Sequence, residues 1–160
     1  MDNDLADITR RLRELEDREA IRSLIASYGP LADSGHAGEI AQLWAEDGSY
    51  GVGGMGRAVG RAAIAGLIEG DTHRQLMAGG CAHVLGPVAV DLKGDTATAR
   101  GHSVVLRHVD GRFEVFRLSA NRWELVRTDD GWRVSHRENA LLDGDAAAQA
   151  LLSPPSARRP

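Results

Sequence analysis

Leu5, Ile8, Leu12, Leu15, Ile21, Leu24, Ile25, Tyr28 and Leu31 recur at steps of three and four. That period predicts one amphipathic helix from a cap at Asp4 to about Tyr28. On its polar face Arg10 with Glu14 and Arg13 with Asp17 stand four residues apart, a spacing that supports an exposed helix. Gly29-Pro30 is expected to bend or end the helix near Tyr28, since proline lacks the donor and clashes with the preceding turn. Ile40, Leu43 and Trp44 predict a second short helix over Glu39–Trp44, stopped by Asp47-Gly48. Ser49–Val52 then reads as a short strand and Gly51–Gly56 as a loop. Ile64, Leu67 and Ile68 put a third helix over Arg61–Glu69, and Gly79-Gly80 interrupts the chain beyond it.

After Gly80 the apolar period shortens to two. Cys81–Val90, Thr96–His108, Phe113–Arg127 and Trp132–Leu142 are alternating or β-branched runs, parted by Lys93-Gly94-Asp95, Asp110-Gly111 and Asp129-Asp130-Gly131. These separators are hairpin signals. Helices followed by a strand meander make an α+β chain in which N-terminal helices pack on a strongly curved mixed or antiparallel sheet. Closing such a sheet with helices gives a cone with one open mouth and an interior fit for a ligand. Residues 1–145 are expected to form this single domain. The alanine-rich stretch from Ala146, with Ser153-Pro154-Pro155-Ser156 and then Arg158 and Arg159, has little to bury; it is expected to be partly disordered, or to dock on the pocket or a neighbouring subunit.

Composition narrows the partners. The chain has 160 residues, 42% hydrophobic, enough for one core with room for a pocket. A net charge of −4 lacks the basic footprint of a nucleic-acid binder. No apolar run spans a bilayer, and Met1–Arg10 carries three aspartates where a secretion signal is basic, so the expected location is cytoplasmic. The lone Cys81 excludes an internal disulfide framework and a cysteine-rich zinc site. It reads as a small inert hydrophobe.

No phosphate loop, paired-histidine zinc helix or nucleophile elbow is present, so any chemistry must come from scattered residues. The candidates are polar residues inside apolar strands: His83, His102, His108, Ser119, Asn121, His136 and Arg137. Regular alternation puts His102, Val104, Leu106 and His108 on one face, and Val115, Arg117, Ser119, Asn121 and Trp123 on another. Each face is either a pocket wall or simply solvated, and the pattern weighs the two alike. His36, His73 and His136 are expected at the surface or in structural roles.

Asp17-Arg18-Glu19-Ala20-Ile21-Arg22-Ser23-Leu24, Tyr28, Asp33 and Leu43-Trp44-Ala45-Glu46-Asp47-Gly48-Ser49-Tyr50 resemble the opening of a SnoaL-like domain of the nuclear transport factor 2-like superfamily. Asp129-Asp130-Gly131-Trp132-Arg133-Val134 is similar to that family's last hairpin. The resemblance runs from about Ala6 to Asp143 and implies the same cone. Within the superfamily the likeness is to a lyase branch: scytalone dehydratase, bile acid 7α-dehydratase and hexachlorocyclohexane dehydrochlorinase. These use an Asp-His dyad, whose positions here are Asp33 and His83. Tyr50, His108 and Ser119-Ala120-Asn121 match scytalone dehydratase, and Arg137 stands where the dehydrochlorinase keeps a catalytic arginine. Ala32 replaces the tyrosine that precedes the aspartate in scytalone dehydratase; Tyr28, five residues ahead of Asp33 as in bile acid dehydratases, is its substitute.

The resemblance therefore implies a cofactor-independent carbon–oxygen lyase, dehydratase or isomerase-like, acting on a small hydrophobic ring compound such as a polyketide, steroid or aromatic. His83, Asp33, Tyr50, His108 and Asn121 are its catalytic candidates. Tyr28, Ser119, Arg137, Trp44 and His102 are its binding candidates, with no metal and no cofactor expected. Such proteins associate as trimers or dimers, here through the exposed side of the sheet. Two alternatives stay open on the same scaffold: a non-catalytic binding or assembly module, and a polyketide cyclase or hydrolase.

Overall fold

The computed structural model describes residues 2–154, and the elements run in the order α1 (Asp2–Asp33), α2 (Ala37–Gln42), β1 (Trp44–Val52), β2 (Gly56–Val59), α3 (Arg61–Glu69), α4 (Asp71–Gly79), β3 (Cys81–Leu85), β4 (Ala89–Lys93), β5 (Thr96–Val109), β6 (Arg112–Thr128), β7 (Gly131–Leu141) and α5 (Ala146–Leu152). Helices pack on a curled seven-stranded sheet of order β2-β1-β7-β6-β5-β3, with β4 also paired to β5. Every strand pair is antiparallel except β1 with β7, so the sheet is mixed and the cone is α+β. No helix among the described residues is long and apolar enough to cross a membrane.

The first helix does not stop at Tyr28. It continues through Pro30 to Asp33, and Asp4 lies within it rather than capping it. Ile21, Ile25, Tyr28 and Ala32 are buried at helical spacing, so the last three turns are held by the core on both sides of the proline. That burial outweighs the roughly 3 kcal/mol a proline costs inside a helix. The end comes at Ser34, whose N–H donates to the Pro30 carbonyl at 3.1 Å, and at Gly35, whose φ of 73° suits glycine. At the other end of the buried stretch Asp17 bonds Arg127 twice (2.7 and 2.6 Å) and accepts the Trp132 indole N–H at 2.9 Å. Its expected partner Arg13 is displaced by these sheet residues.

Gly29 sets how close α1 comes to β3. A methyl group there would overlap the His83 carbonyl oxygen, so only glycine lets the helix lie on the strand and bring Asp33 over it. Gly29→Ala is expected to push the helix outward and cost about 1–3 kcal/mol, read as a lower denaturant midpoint at unchanged slope.

Trp44 opens β1 instead of closing a helix, because its ring is fully buried on Trp123 and Tyr50, with centroids 6.0 and 5.7 Å away. The glycine-rich Gly51–Gly56 stretch is loop only in its middle: β1 runs to Val52, and β2 begins at Gly56. Helix α4, whose sequence is mostly polar, fills the gap before Gly80. Cys81–Val90 is two strands laid end to end along β5, since Gly86-Pro87 breaks the ladder. Residues 146–152 form α5, capped by the Asp145 carboxylate on the Ala147 N–H at 2.8 Å, with Ala148 buried. Pro155, Ser156, Arg158 and Arg159 lie outside the described residues.

Candidate functional site

Asp33 is the last residue of α1 and His83 the middle of β3, and the close crossing at Gly29 joins them. His83 Nδ1 lies 2.6 Å from Asp33 Oδ1, while the His83 backbone N–H donates to Oδ2 at 2.9 Å and to Oδ1 at 3.1 Å. Three bonds to one carboxylate fix both side chains. With Nδ1 committed to Asp33, the remaining lone pair of a neutral ring is on Nε2. His83 itself lines a cavity of about 170 Å³ in the mouth of the cone.

The wall beside His83 carries a second imidazole. His73, on α4, is buried, and its Nε2 lies 2.8 Å from the Ala32 carbonyl oxygen, so Nε2–H is the donor and Nδ1 an acceptor. The two rings are 5.2 Å apart between centroids. Burial lowers the His83 pKa; Asp33 opposes this, while His73 and Arg137 act with burial. The His83 ring is therefore neutral at pH 7.

The opposite wall is cationic and phenolic. Arg137, on β7, is 2% exposed, with its guanidinium carbon 4.3, 4.4 and 4.1 Å from the ring centroids of Tyr28, Tyr50 and Trp123. Its Nε and one terminal nitrogen donate to Asn121 Oδ1 at 3.1 and 2.8 Å. The other terminal nitrogen is buried without a partner among the described residues. Burial pushes the Tyr50 hydroxyl above its ordinary pKa, so it stays protonated, and it accepts from Asn139 Nδ2 at 2.9 Å. Arg117 donates to Ser119 Oγ (3.1 Å), the Gly53 carbonyl (2.8 Å) and Asn139 Oδ1 (3.2 Å), tying the β1–β2 turn to the sheet.

Of the sequence candidates, His83, Tyr28, Tyr50, Ser119 and Arg137 meet in this cavity, with Asp33 directly behind His83. Four do not. Asn121 sits beneath Arg137 and donates to Ser103 Oγ at 2.8 Å, so it positions the guanidinium instead of facing the cavity. Trp44 is core. His102 and His108 point outward and are exposed, because the inward face of β5 is Ala97, Ala99, Gly101, Ser103 and Val105. His108 packs on Phe113 instead, 5.2 Å between centroids. The register shift in the β5–β6 ladder after Val105 leaves Phe116 unpaired, and that ring reaches the cavity. His73, Arg117 and Asn139 line the cavity without having been singled out. Alternation offered Arg117 beside Ser119 and Asn139 beside Arg137; nothing in the polar α4 sequence marked His73. His136 is held by Ser49 Oγ at 2.8 Å and Glu138 at 3.2 Å, outside this cavity.

A helix-wrapped cone with a polar constellation at its mouth is the architecture of a SnoaL-like domain, and the chain belongs to that family, whose model matches residues 13–138. It is 63% identical to an NTF2-like protein with a cystatin-like fold from Novosphingobium aromaticivorans, over 94% of this chain and 97% of that one, with a TM-score of 0.92. A provisionally named aromatic ring hydroxylase from the same bacterium is 27% identical over 80% of this chain and 90% of its own, TM-score 0.66. A provisionally named scytalone dehydratase, also from that bacterium, is 20% identical over 79% and 84%, TM-score 0.65, a likeness of fold alone. None of the curated proteins matches the chain.

Proposed function

We propose that the protein is a cofactor-independent lyase that removes a proton next to the carbonyl of a small cyclic hydroxy-ketone and expels the β-hydroxyl as water. The observation that carries the reading is the 2.6 Å Asp33–His83 contact on the wall of a largely apolar cavity at the mouth of the cone. Nε2 of His83 takes the proton, and Asp33 holds the ring in the needed tautomer and stabilises the imidazolium that forms. The electron pair of the broken C–H bond moves onto the carbonyl oxygen, where Arg137 and the Tyr28 and Tyr50 hydroxyls offer donors in a water-poor site. Collapse of the enolate breaks the C–O bond, and the imidazolium returns its proton to the departing hydroxide. Ser119, which lines the cavity where His108 and Asn121 do not, holds the leaving hydroxyl.

A cavity of about 170 Å³ is smaller than the roughly 300–1,000 Å³ of sites for drug-sized ligands, which favours a one-ring substrate over a steroid. The test is a panel of one-ring β-hydroxy ketones deuterated at the α-carbon. Loss of deuterium to water and growth of the conjugated enone are expected together; absence of both from every member of the panel sinks the reading.

We also infer that the active form is an assembly of copies. Leu5, Ile8, Leu12 and Leu15 are between 53% and 67% exposed on one stripe of α1, spaced three, four and three apart as in a two-heptad seam. In a parallel pair of these helices Arg11 of one copy falls opposite Glu16 of the other. The outer sheet face adds Phe113, Val115 and Leu118. Ile8→Glu with Leu12→Glu is expected to lower the mass measured by light scattering; an unchanged mass excludes the helix as the contact.

A further inference from the structure

Behind the proposed base the Asp33–His83 pair meets a third donor, the Cys81 thiol, that proton abstraction does not use. Cys81 and His83 are two residues apart on β3 and face the same way, and Asp33 reaches them from the end of α1. An Asp33 carboxylate oxygen, Cys81 Sγ and a His83 ring nitrogen all lie within 4.8 Å of one another. The thiol and the ring both direct hydrogen at Asp33 Oδ1, with Sγ at 3.6 Å and Nδ1 at 2.6 Å. Each of those hydrogens occupies the lone pair through which its atom would bind a metal. We propose that this cluster is a binding site for one zinc-class divalent cation, held by Asp33, Cys81 Sγ and His83 Nδ1, and that its occupancy switches the base off.

The geometry is close to what such an ion needs. Bonds of about 2.0–2.3 Å at tetrahedral angles place ligand atoms roughly 3.3–3.6 Å apart. The sulfur–oxygen separation of 3.6 Å already meets this, and the 2.6 Å nitrogen–oxygen pair must open by less than about 1 Å. Asp33 keeps its aim while Oδ1 turns to the metal, because the His83 backbone N–H retains Oδ2 at 2.9 Å. A thiolate, an imidazole and one carboxylate select zinc, or cobalt as its spectroscopic stand-in, over magnesium or calcium, which take oxygen ligands. The fourth position is left to water.

The proton count explains the switch. Binding releases the thiol hydrogen to solvent, since the ligand is thiolate, and displaces the hydrogen on His83 Nδ1. A neutral imidazole bound through Nδ1 carries its hydrogen on Nε2, so the lone pair that faces the cavity is gone. The metal site stands on geometry alone; only its inhibitory consequence rests on the proposed function.

Cobalt(II) titrated into the metal-free protein tests both parts without substrate. The expected result is one cobalt per chain, a near-ultraviolet thiolate-to-cobalt charge-transfer band, displacement by zinc, and, in the diamagnetic zinc-bound protein, a His83 ring whose nitrogen resonances have passed from the Nδ1–H to the Nε2–H tautomer. Cys81→Ser should abolish the band, and Asp33→Asn should weaken cobalt binding at least about tenfold, the lower bound for loss of even an outer partner of a metal ligand. No charge-transfer band at millimolar cobalt overturns the site. A band that survives unchanged in Asp33→Asn and His83→Gln also overturns it, by showing metal on Cys81 alone. Binding without the tautomer change overturns the switch while leaving proton abstraction untouched.

Discussion

His83→Ala will lower deuterium loss from the α-carbon of a bound hydroxy-ketone by about a hundred- to ten-thousand-fold, the usual contribution of one positioned base. The fold should survive, because the His83 ring borders a cavity and anchors no strand: its backbone N–H bond to Asp33 persists in the variant. Asp33→Asn can present an amide N–H to the ring and so reverse its tautomer, and is expected to reproduce much of the loss. The pH dependence has its origin in the same contacts. Burial holds the His83 pKa below its ordinary value of about 6.5, so the rate should fall with acid only through a midpoint below that value. The sign for stability is the same. A folded-state pKa beneath the unfolded one means that the unfolded chain binds more protons as the pH falls, so this contribution is present above about 6.5 and is lost on acidification. A His83→Ala variant that retains the rate within tenfold, or a wild-type midpoint above 6.5, removes His83 from the role of base.

Much of the frame was legible because hydrophobic period and turn residues fix element type. Arg61–Glu69 and the three long strands needed little beyond spacing and glycine-marked turns. Which side of a strand turns inward is a different question. Alternation places His102 with His108, but small residues at Ala97, Ala99, Gly101 and Ser103 are what allow helices to lie on β5, and they put both histidines outside. A small-residue face opposite a polar one was the available signal. The helix through Pro30 shows tertiary burial overriding a local breaker, and Trp44 shows an amphipathic helical pattern continued into a buried strand. Helix α4 offered too few apolar positions to reveal that His73 would be its buried residue. The contact between Asp33 and His83 spans fifty positions, and only the family resemblance anticipated it.

Arg137 should separate stability from chemistry more sharply than any other residue here. Arg137→Ala empties a space ringed by Tyr28, Tyr50 and Trp123 and leaves Asn121 Oδ1 unpaired, so it is expected to cost about 2–5 kcal/mol. Arg137→Met keeps most of the bulk but removes the charge. No carboxylate bonds this guanidinium among the described residues; three aromatic faces and one amide oxygen offset its burial, and one terminal nitrogen has no partner among them. A buried cation so incompletely compensated gives up little stability when an apolar side chain replaces it, so the methionine variant is expected to melt within about 1–2 kcal/mol of the parent. Its rate should nevertheless drop by about a hundred- to a thousand-fold, because the donor proposed for the developing oxyanion is gone. Lysine should not rescue it, since an ammonium can neither lie flat among the three rings nor reach Asn121 and the ligand together. Denaturant midpoints and enone formation, measured on all three variants, decide the matter. If methionine costs as much stability as alanine and leaves the rate unchanged, Arg137 is a strut of the core and the unpaired nitrogen has no ligand to wait for.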